Sequence, residues 1–310
     1  IDGETMAAPG GKRLGRAVPL DSLSAAQIAQ IEVIKSATPD LDANSLGGTI
    51  NIRTTSAFDR KGRFVSGSGS MNYNESTEKT NVEGQLTFAD TFGPKRMWGI
   101  AASASYDKRH YANEWLQVGG WNRRTIGSTT LFLPSSFEIK PERGQNLRMG
   151  ATLNLEYRPN ADTQLYLRPN LSHTNRFEDT HEIIHSVDNS AARVTLTSPT
   201  TGVFAGAGTR TERREFHERR EQDLFNLSGG FKQVLGRFTI EGALTYSQAK
   251  EDRPYTDVLA FRNATGGTGP VTFDLGAFDF LKWDADPAVD LPAKYPLRRP
   301  RQDGGSVDEK

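Results

Sequence analysis

Cysteine is absent from the 310 residues, no long apolar run occurs, and neither sign of charge dominates, with Lys+Arg and Asp+Glu at 38 each. Without cysteine there is no disulfide framework and no thiol chemistry, which suits an oxidising periplasmic or surface location. Balanced charge leaves no global field to steer the chain to nucleic acid or to an acidic partner. A transmembrane helix needs about 18 consecutive apolar residues, and none are found. A transmembrane β-barrel escapes that test, because its strands alternate lipid-facing with lumen-facing side chains and keep mean hydropathy modest; here it is −0.58. An exported protein also needs a basic and then apolar leader. The chain opens at Ile1 without one, so the sequence is expected to be truncated.

What is present is alternation. Leu147, Met149, Ala151, Leu153, Leu155 and Tyr157 fall on one face, and Arg148, Gly150, Thr152, Asn154 and Glu156 on the other, which is the period of a strand. The same pattern runs through 82–88, 98–106, 225–231 and 238–246, and with 64–73 and 164–171 it predicts seven strands. Short turns at 91–96, 158–162 and 235–236 alternate with long polar stretches at 110–144, 177–220 and from 251 onward. Short turns at one end and long extracellular loops at the other are the outer-membrane pattern. The register then puts Phe88, Trp98, Tyr157, Phe231 and Phe238 near the inner rim and Tyr73, Tyr106 and Tyr246 near the outer one, as aromatic girdles do. A soluble β-sandwich alternates equally well. Soluble domains, however, seldom carry several structureless loops longer than ~15 residues.

Ahead of these strands stand Ile1-Asp2-Gly3, a helical stretch at 23–30, the strand-like Ile31-Glu32-Val33-Ile34-Lys35, and the close Gly47-Gly48-Thr49-Ile50-Asn51-Ile52-Arg53-Thr54. The two glycines break the chain before a short strand in which Ile50 and Ile52 face one way and Asn51 and Arg53 the other. In order and spacing these pieces resemble the end of the plug domain of TonB-dependent outer-membrane receptors. Thr38-Pro39-Asp40-Leu41-Asp42-Ala43 resembles the branch with a Thr-Pro-Asp-x-Asp-Ala signature, some of whose members import carbohydrates and others iron chelates.

The resemblance implies a mainly β fragment: the C-terminal part of an α+β plug over 1–56, then over 57–310 the first antiparallel strands of a transmembrane β-barrel. Plugged receptors of this class have about 22 strands, so the rest are expected beyond Lys310. Open edges in lipid would strand backbone donors and acceptors, and the fragment alone is expected not to insert. The implied function is TonB-dependent uptake of a scarce small-molecule ligand across the bacterial outer membrane, without a cofactor and without covalent chemistry. Implied partners are the TonB energy-coupling protein, whose contact segment is missing from this chain, and the lipid and lipopolysaccharide of the outer membrane. The complete receptor is expected to be a monomer.

Three clusters carry candidate chemistry. His181-Glu182-Ile183-Ile184-His185 matches H-E-x-x-H, which on a helix puts two histidines one turn apart on zinc with the glutamate as base. Its flanks lack helical periodicity, and Asp188 and Ala191 stand where a metzincin needs Gly and His, so a solvated outer loop is the expectation. The charged run 209–221 interleaves Arg210, Arg213, Arg214, Arg219 and Arg220 with Glu212, Glu215, Glu218 and Glu221. It reads as a mixed-charge loop meeting water, or as guanidinium groups for lipopolysaccharide phosphates or an anionic ligand. Finally, Tyr111, Trp115 and Trp121, with Arg123 and Arg124, combine aromatic area with directional donors in the first long loop; these five are the expected ligand contacts. The rival functions are a zinc peptidase built on His181, Glu182 and His185, and a passive porin or surface adhesin.

Overall fold

The computed structural model describes residues 28, 30–35, 49–59, 62–262, 269–276, 282–285 and 297–309, the last as backbone. Ile1-Asp2-Gly3, Gly47, Gly48, the signature at 38–43 and all but the end of the helical stretch lie outside the described residues.

The chain is mainly β, in antiparallel sheets. In chain order the strands are β1 (Gln30–Ile34) and β2 (Thr49–Arg53), paired with each other; β3 (Phe64–Asn74), β4 (Lys79–Phe92) and β5 (Trp98–Gly119); and the hairpin β6 (Asn122–Ile126) and β7 (Thr129–Leu133). Next come β8 (Ser136–Tyr157), β9 (Thr163–Ser186), β10 (Val194–Leu196), β11 (Thr201–Phe204), β12 (Arg210–Leu235) and β13 (Phe238–Arg262). The series ends with β14 (Val271–Asp274), β15 (Lys282–Ala285) and β16 (Leu297–Glu309). The long strands form one eight-stranded sheet in the order β3-β4-β5-β8-β9-β12-β13-β16, with β3 and β16 as its edges.

All seven expected strands lie in this sheet, with two corrections. β16 is an eighth. The strands also run far past the expected limits: β5, β8, β9, β12 and β13 are 22, 22, 24, 26 and 25 residues long. The stretches 110–144 and 177–220 are therefore not structureless. They continue the ladder, and the remainder folds as β6–β7 and as a four-stranded sheet β10-β11-β14-β15 that also draws on the chain after 262. The expected short turns all fall at one end of the meander. Gly236, between β12 and β13, takes φ +62, a left-handed geometry that favours glycine.

The two faces of the large sheet have inverted character. One rung runs Thr87, Ser103, Thr152, Asn170, Asn226 and Ser247 across six strands; one residue along, the next runs Leu86, Ala104, Ala151, Leu171, Phe225 and Gln248. Polar rungs belong to a covered face, where Asn154, Glu156, Asn170, Asn226 and Ser228 are buried. Apolar rungs belong to a bare face that exposes Leu155, Leu167, Leu171, Phe231 and Ile240. Leu244 is 85% exposed while Asn226 is 2% exposed, the reverse of a water-soluble sheet. The bare apolar face stops at the rung Tyr106-Met149-His173-Asp223-Lys250. In the next same-face rung Lys108, Asn175 and Glu221 point the same way, with Leu147 the one apolar member.

The polar face is covered by the N-terminal segment. Ile52 of β2 packs on Leu224 and Ala249, and Ala57 on Ala89 and Ala101. The one-turn 3-10 helix Ala57–Asp59 sets the Phe58 ring against Gly99, where a Cβ would collide with it. The Ser56 hydroxyl donates to the Glu156 carboxylate, and Asn154 Nδ2 donates to the Thr55 carbonyl at 3.0 Å.

At the end opposite the short turns, the small strands enclose a conventional apolar core of Leu133, Phe137, Val187, Val194, Phe204, Val271 and Phe273. Phe137 stacks on Trp283 at 5.1 Å between ring centres, and Phe204 meets Phe273 at 4.6 Å. Three connections of the meander thus join into one cap.

Candidate functional site

The cap carries an amphipathic hairpin. Strands β6 and β7 pair Arg123 with Phe132 and Thr125 with Thr130. One face turns Ile126, Leu131 and Leu133 to the cap core. The other leaves Arg123 and Phe132 exposed, the phenylalanine at 59%, and Trp121, one residue before β6, is 51% exposed. Exposed aromatic rings and a guanidinium in this segment offer apolar contact area with directional donors, which suits a sugar ring or a planar chelate. Phe132 was not among the expected contacts. Its signal was the alternation Thr129-Thr130-Leu131-Phe132-Leu133, in which the phenylalanine sits opposite the buried leucines.

The five expected ligand residues do not form one site. Trp115 is 58% exposed but belongs to β5, opposite Lys140. Arg124 is committed to structure: its Nε and Nη2 donate to the Asn189 carbonyl and side-chain oxygen, both at 2.9 Å. Buried Asn189 in turn donates to the carbonyls of Leu133 and Pro134, at 3.1 Å each, so the pair clamps the hairpin to the cap. Tyr111 lies in β5 over Gly144, where a Cβ would strike its ring, and its hydroxyl donates to Glu178 at 3.4 Å. Burial pushes the Tyr111 phenol up from its ordinary value, against the pull of the Arg176 guanidinium. That leaves Trp121 and Arg123, joined by Phe132.

From Arg210 on, the charged run 209–221 is strand β12, not a loop in water. Glu212, Arg214, Glu218 and Arg220 share the face of Asn226, and alternate residues share the other. Glu212 is buried and accepts from Arg214 Nε at 2.5 Å and from Arg262 Nε at 2.6 Å; Arg214 Nη1 also reaches Glu182 at 3.2 Å. Burial alone would raise the Glu212 carboxyl, but the two guanidinium groups hold it below the usual carboxylate range. Glu251, accepting from Gln222 Nε2 and Arg253 Nε at 2.7 Å each, is held low in the same way. Within the run, Arg214, Arg219 and Arg220 are each paired with a glutamate two residues away.

The H-E-x-x-H residues lie in β9, which overturns both the helical zinc geometry and the outer-loop expectation. On a strand His181 and His185 share a face but stand about 13 Å apart, while Glu182 points to the other face and bonds Arg214. His185 is buried, with Nδ1 2.8 Å from Thr211 Oγ1 and its ring edge-on to Trp283 at 4.9 Å. The motif reads identically on helix and strand, and here its β-branched Ile183-Ile184 centre and paired neighbours decide for strand.

The N-terminal motif residues form the β1–β2 hairpin, pairing Ile31 with Ile52, Glu32 with Asn51 and Val33 with Ile50. Asn51 Nδ2 donates to Glu32 at 3.0 Å, and Arg53 lies 3.5 Å from the same carboxylate. Of the four apolar residues Ile52 is buried and Ile31, Val33 and Ile50 are exposed.

No family model, curated protein or solved structure matches the chain.

Proposed function

We propose that the chain is part of a TonB-dependent transporter of the bacterial outer membrane, taking up a scarce carbohydrate or iron chelate. The eight-stranded sheet is a section of its barrel wall, and β1–β2 with 54–59 is the end of its plug. One observation carries this reading: the large sheet buries its polar face and exposes its apolar one. A wall with lipid outside and a filled polar lumen requires that inversion, and a soluble sandwich requires the opposite.

Further features support it. The apolar band on β5 covers residues 98–106, nine positions, against the roughly 9–11 that a tilted strand needs to cross a bilayer. Trp98 and Tyr157, with ring centres 4.3 Å apart, end the band on the short-turn side, and Tyr106 ends it on the other. Hydrocarbon cannot satisfy the edges β3 and β16, so the wall closes through further strands, about 22 in all for a plugged receptor.

In this mechanism the exposed face of β6–β7 captures ligand outside, and Trp121, Arg123 and Phe132 provide the contact. The periplasmic TonB protein then pulls on the plug, with proton-motive force as the energy source. Among the described residues the plug end is seated on the wall by hydrogen bonds to Glu156 and Asn154 and by apolar contacts at Ile52 and Ala57. A passive porin would not seat Ile52 and Ala57 on the wall's polar face.

The test is the behaviour of the complete gene product in cells. It should fractionate with the outer membrane and migrate differently on a gel before and after boiling, as closed barrels do. Recovery as a soluble periplasmic protein would overturn the proposal.

A further inference from the structure

The histidine motif that fails as a zincin brings one of its members to a different cluster. Where β9 and β12 run together beyond the apolar band, His217 stands directly opposite Asp179, and the next same-face rung sets Glu215 opposite His181. On its other side His217 faces Asp257 of β13. The His217 and Asp179 side chains are each 32% exposed, and His217 Nδ1 lies 2.5 Å from Asp179 Oδ1. The rings of His181 and His217 approach to 6.4 Å between centres, at 87°.

Each contact has a meaning for metal chemistry. A carboxylate that accepts from one ring nitrogen fixes the tautomer and leaves the other nitrogen, Nε2, as a lone-pair donor, the arrangement metal-binding histidines adopt. A second imidazole at diagonal cross-strand distance comes within reach of the same ion. Glu215 and Asp257, both half-buried on that face, supply carboxylates beside the two rings. Imidazole with carboxylate suits Zn2+, Ni2+ and Cu2+ far better than Mg2+ or Ca2+. Among the described residues no three such side chains already converge on a point, so an ion would draw the carboxylates in by rotamer changes on an accessible face. Arg213 and Arg219 flank the cluster on the same face of β12, two residues from Glu215 and from His217, with Arg219 paired to Glu221 at 2.6 Å, and Arg143 of β8 stands opposite Asp179; an ion competes with these guanidinium groups for the carboxylates.

We propose that His217 and His181, with Glu215 or Asp257, form a surface site for a divalent transition-metal ion, and that Asp179 positions His217 for it. The site lies on the same face of the sheet as the apolar band and does not depend on the transport reading.

The experiment is a Zn2+ titration against a chromophoric chelator, on the complete, tag-free protein stripped with EDTA. The expected result is one saturable Zn2+ per chain. His217→Ala and His181→Ala should each abolish it, while His185→Ala and His173→Ala leave it intact. Asp179→Asn keeps both imidazoles and is nearly isosteric; it should weaken binding by about tenfold with native β content by circular dichroism, which keeps the proposal testable if an alanine variant misfolds. No saturable binding by the unaltered protein, or binding that survives His217→Ala or is lost only in His185→Ala, would overturn the proposal.

Discussion

Asn170 of β9 and Asn226 of β12 face each other directly, 3% and 2% exposed, while their neighbours Leu171 and Phe225 face each other on the opposite side of the sheet, with Leu171 52% exposed. Burial of the amide pair and exposure of the leucine on adjacent rungs is the local form of the inversion that runs through the whole wall. A hydrophobic effect acting in water would turn these strands over. The arrangement is consistent with a sheet whose outer solvent is hydrocarbon.

Arginine on the apolar band should therefore be penalised by depth. Leu244→Arg is expected to destabilise the assembled protein by about 2–4 kcal/mol, the range for a cation near the bilayer midplane. Leu116→Arg, on the same face of β5 but beyond the band, should be near neutral. The check is the denaturant midpoint of the heat-modifiable form in lipid vesicles; equal effects at the two positions would argue against a lipid-facing band.

Glu156 ties the N-terminal segment to the large sheet. It is 2% exposed, accepts from the Ser56 hydroxyl and from Gln164 Nε2 at 3.1 Å, and lies 3.2 Å from Arg158 and 3.5 Å from Arg168. Removing one partner of such a buried group strands the other charges, at a cost of about 3–5 kcal/mol. Glu156→Ala should loosen the plug, raising susceptibility to large antibiotics that normally stay outside, while Asp162→Ala at the adjacent turn should not. Unchanged permeability with normal assembly would remove Glu156 from the seat.

The upper ends of the long strands should weaken in acid. The Glu212 and Glu251 carboxyls titrate below their unfolded values. Their contribution is thus complete above about pH 4.3 and is lost as pH falls through the lower folded-state values. Protease sensitivity of the segment around 209–221 should rise over that acid range. Glu212→Gln should flatten the dependence, and an unaltered profile in the variant would contradict the assignment.

Ligand capture should depend on the hairpin face. Trp121→Ala or Phe132→Ala in the complete receptor is expected to weaken ligand binding by about 2 kcal/mol, as loss of an aromatic anchor does. Arg124→Ala should instead free the hairpin from Asn189 and raise its proteolysis. Binding unchanged in the Trp121→Ala, Phe132→Ala double variant would move the site elsewhere.

The large sheet was legible wherever one of its faces is apolar and the other polar. Leu147 to Tyr157 alternate cleanly because every second residue must suit a different environment, and the expected strands and turns followed from that. The same strands became illegible past Tyr106, His173 and Asp223. There both faces are polar, so the two-residue period vanishes while the backbone ladder continues. Charged residues in 209–221 thus resembled a loop, and His181 to His185 resembled a helix motif, although both lie in paired strands. Phe132 and the clamp role of Arg124 were hidden for another reason. They depend on the cap core, whose members Phe137, Phe204 and Phe273 come from β8, β11 and β14 and show no common pattern along the chain.

The most direct test of the inverted sheet is single-cysteine spin labelling, for which these 310 residues bring no competing thiol. Labels would be placed in the complete, membrane-assembled protein at Leu155, Leu167 and Leu244 on the apolar face, and at Thr152, Asn170 and Ser228 on the polar face. The account predicts that the first set collides with lipid-soluble oxygen and is shielded from an aqueous nickel chelate, and that the second set is shielded from oxygen. Equal access of the aqueous reagent to both sets, or a reversed pattern, would contradict it.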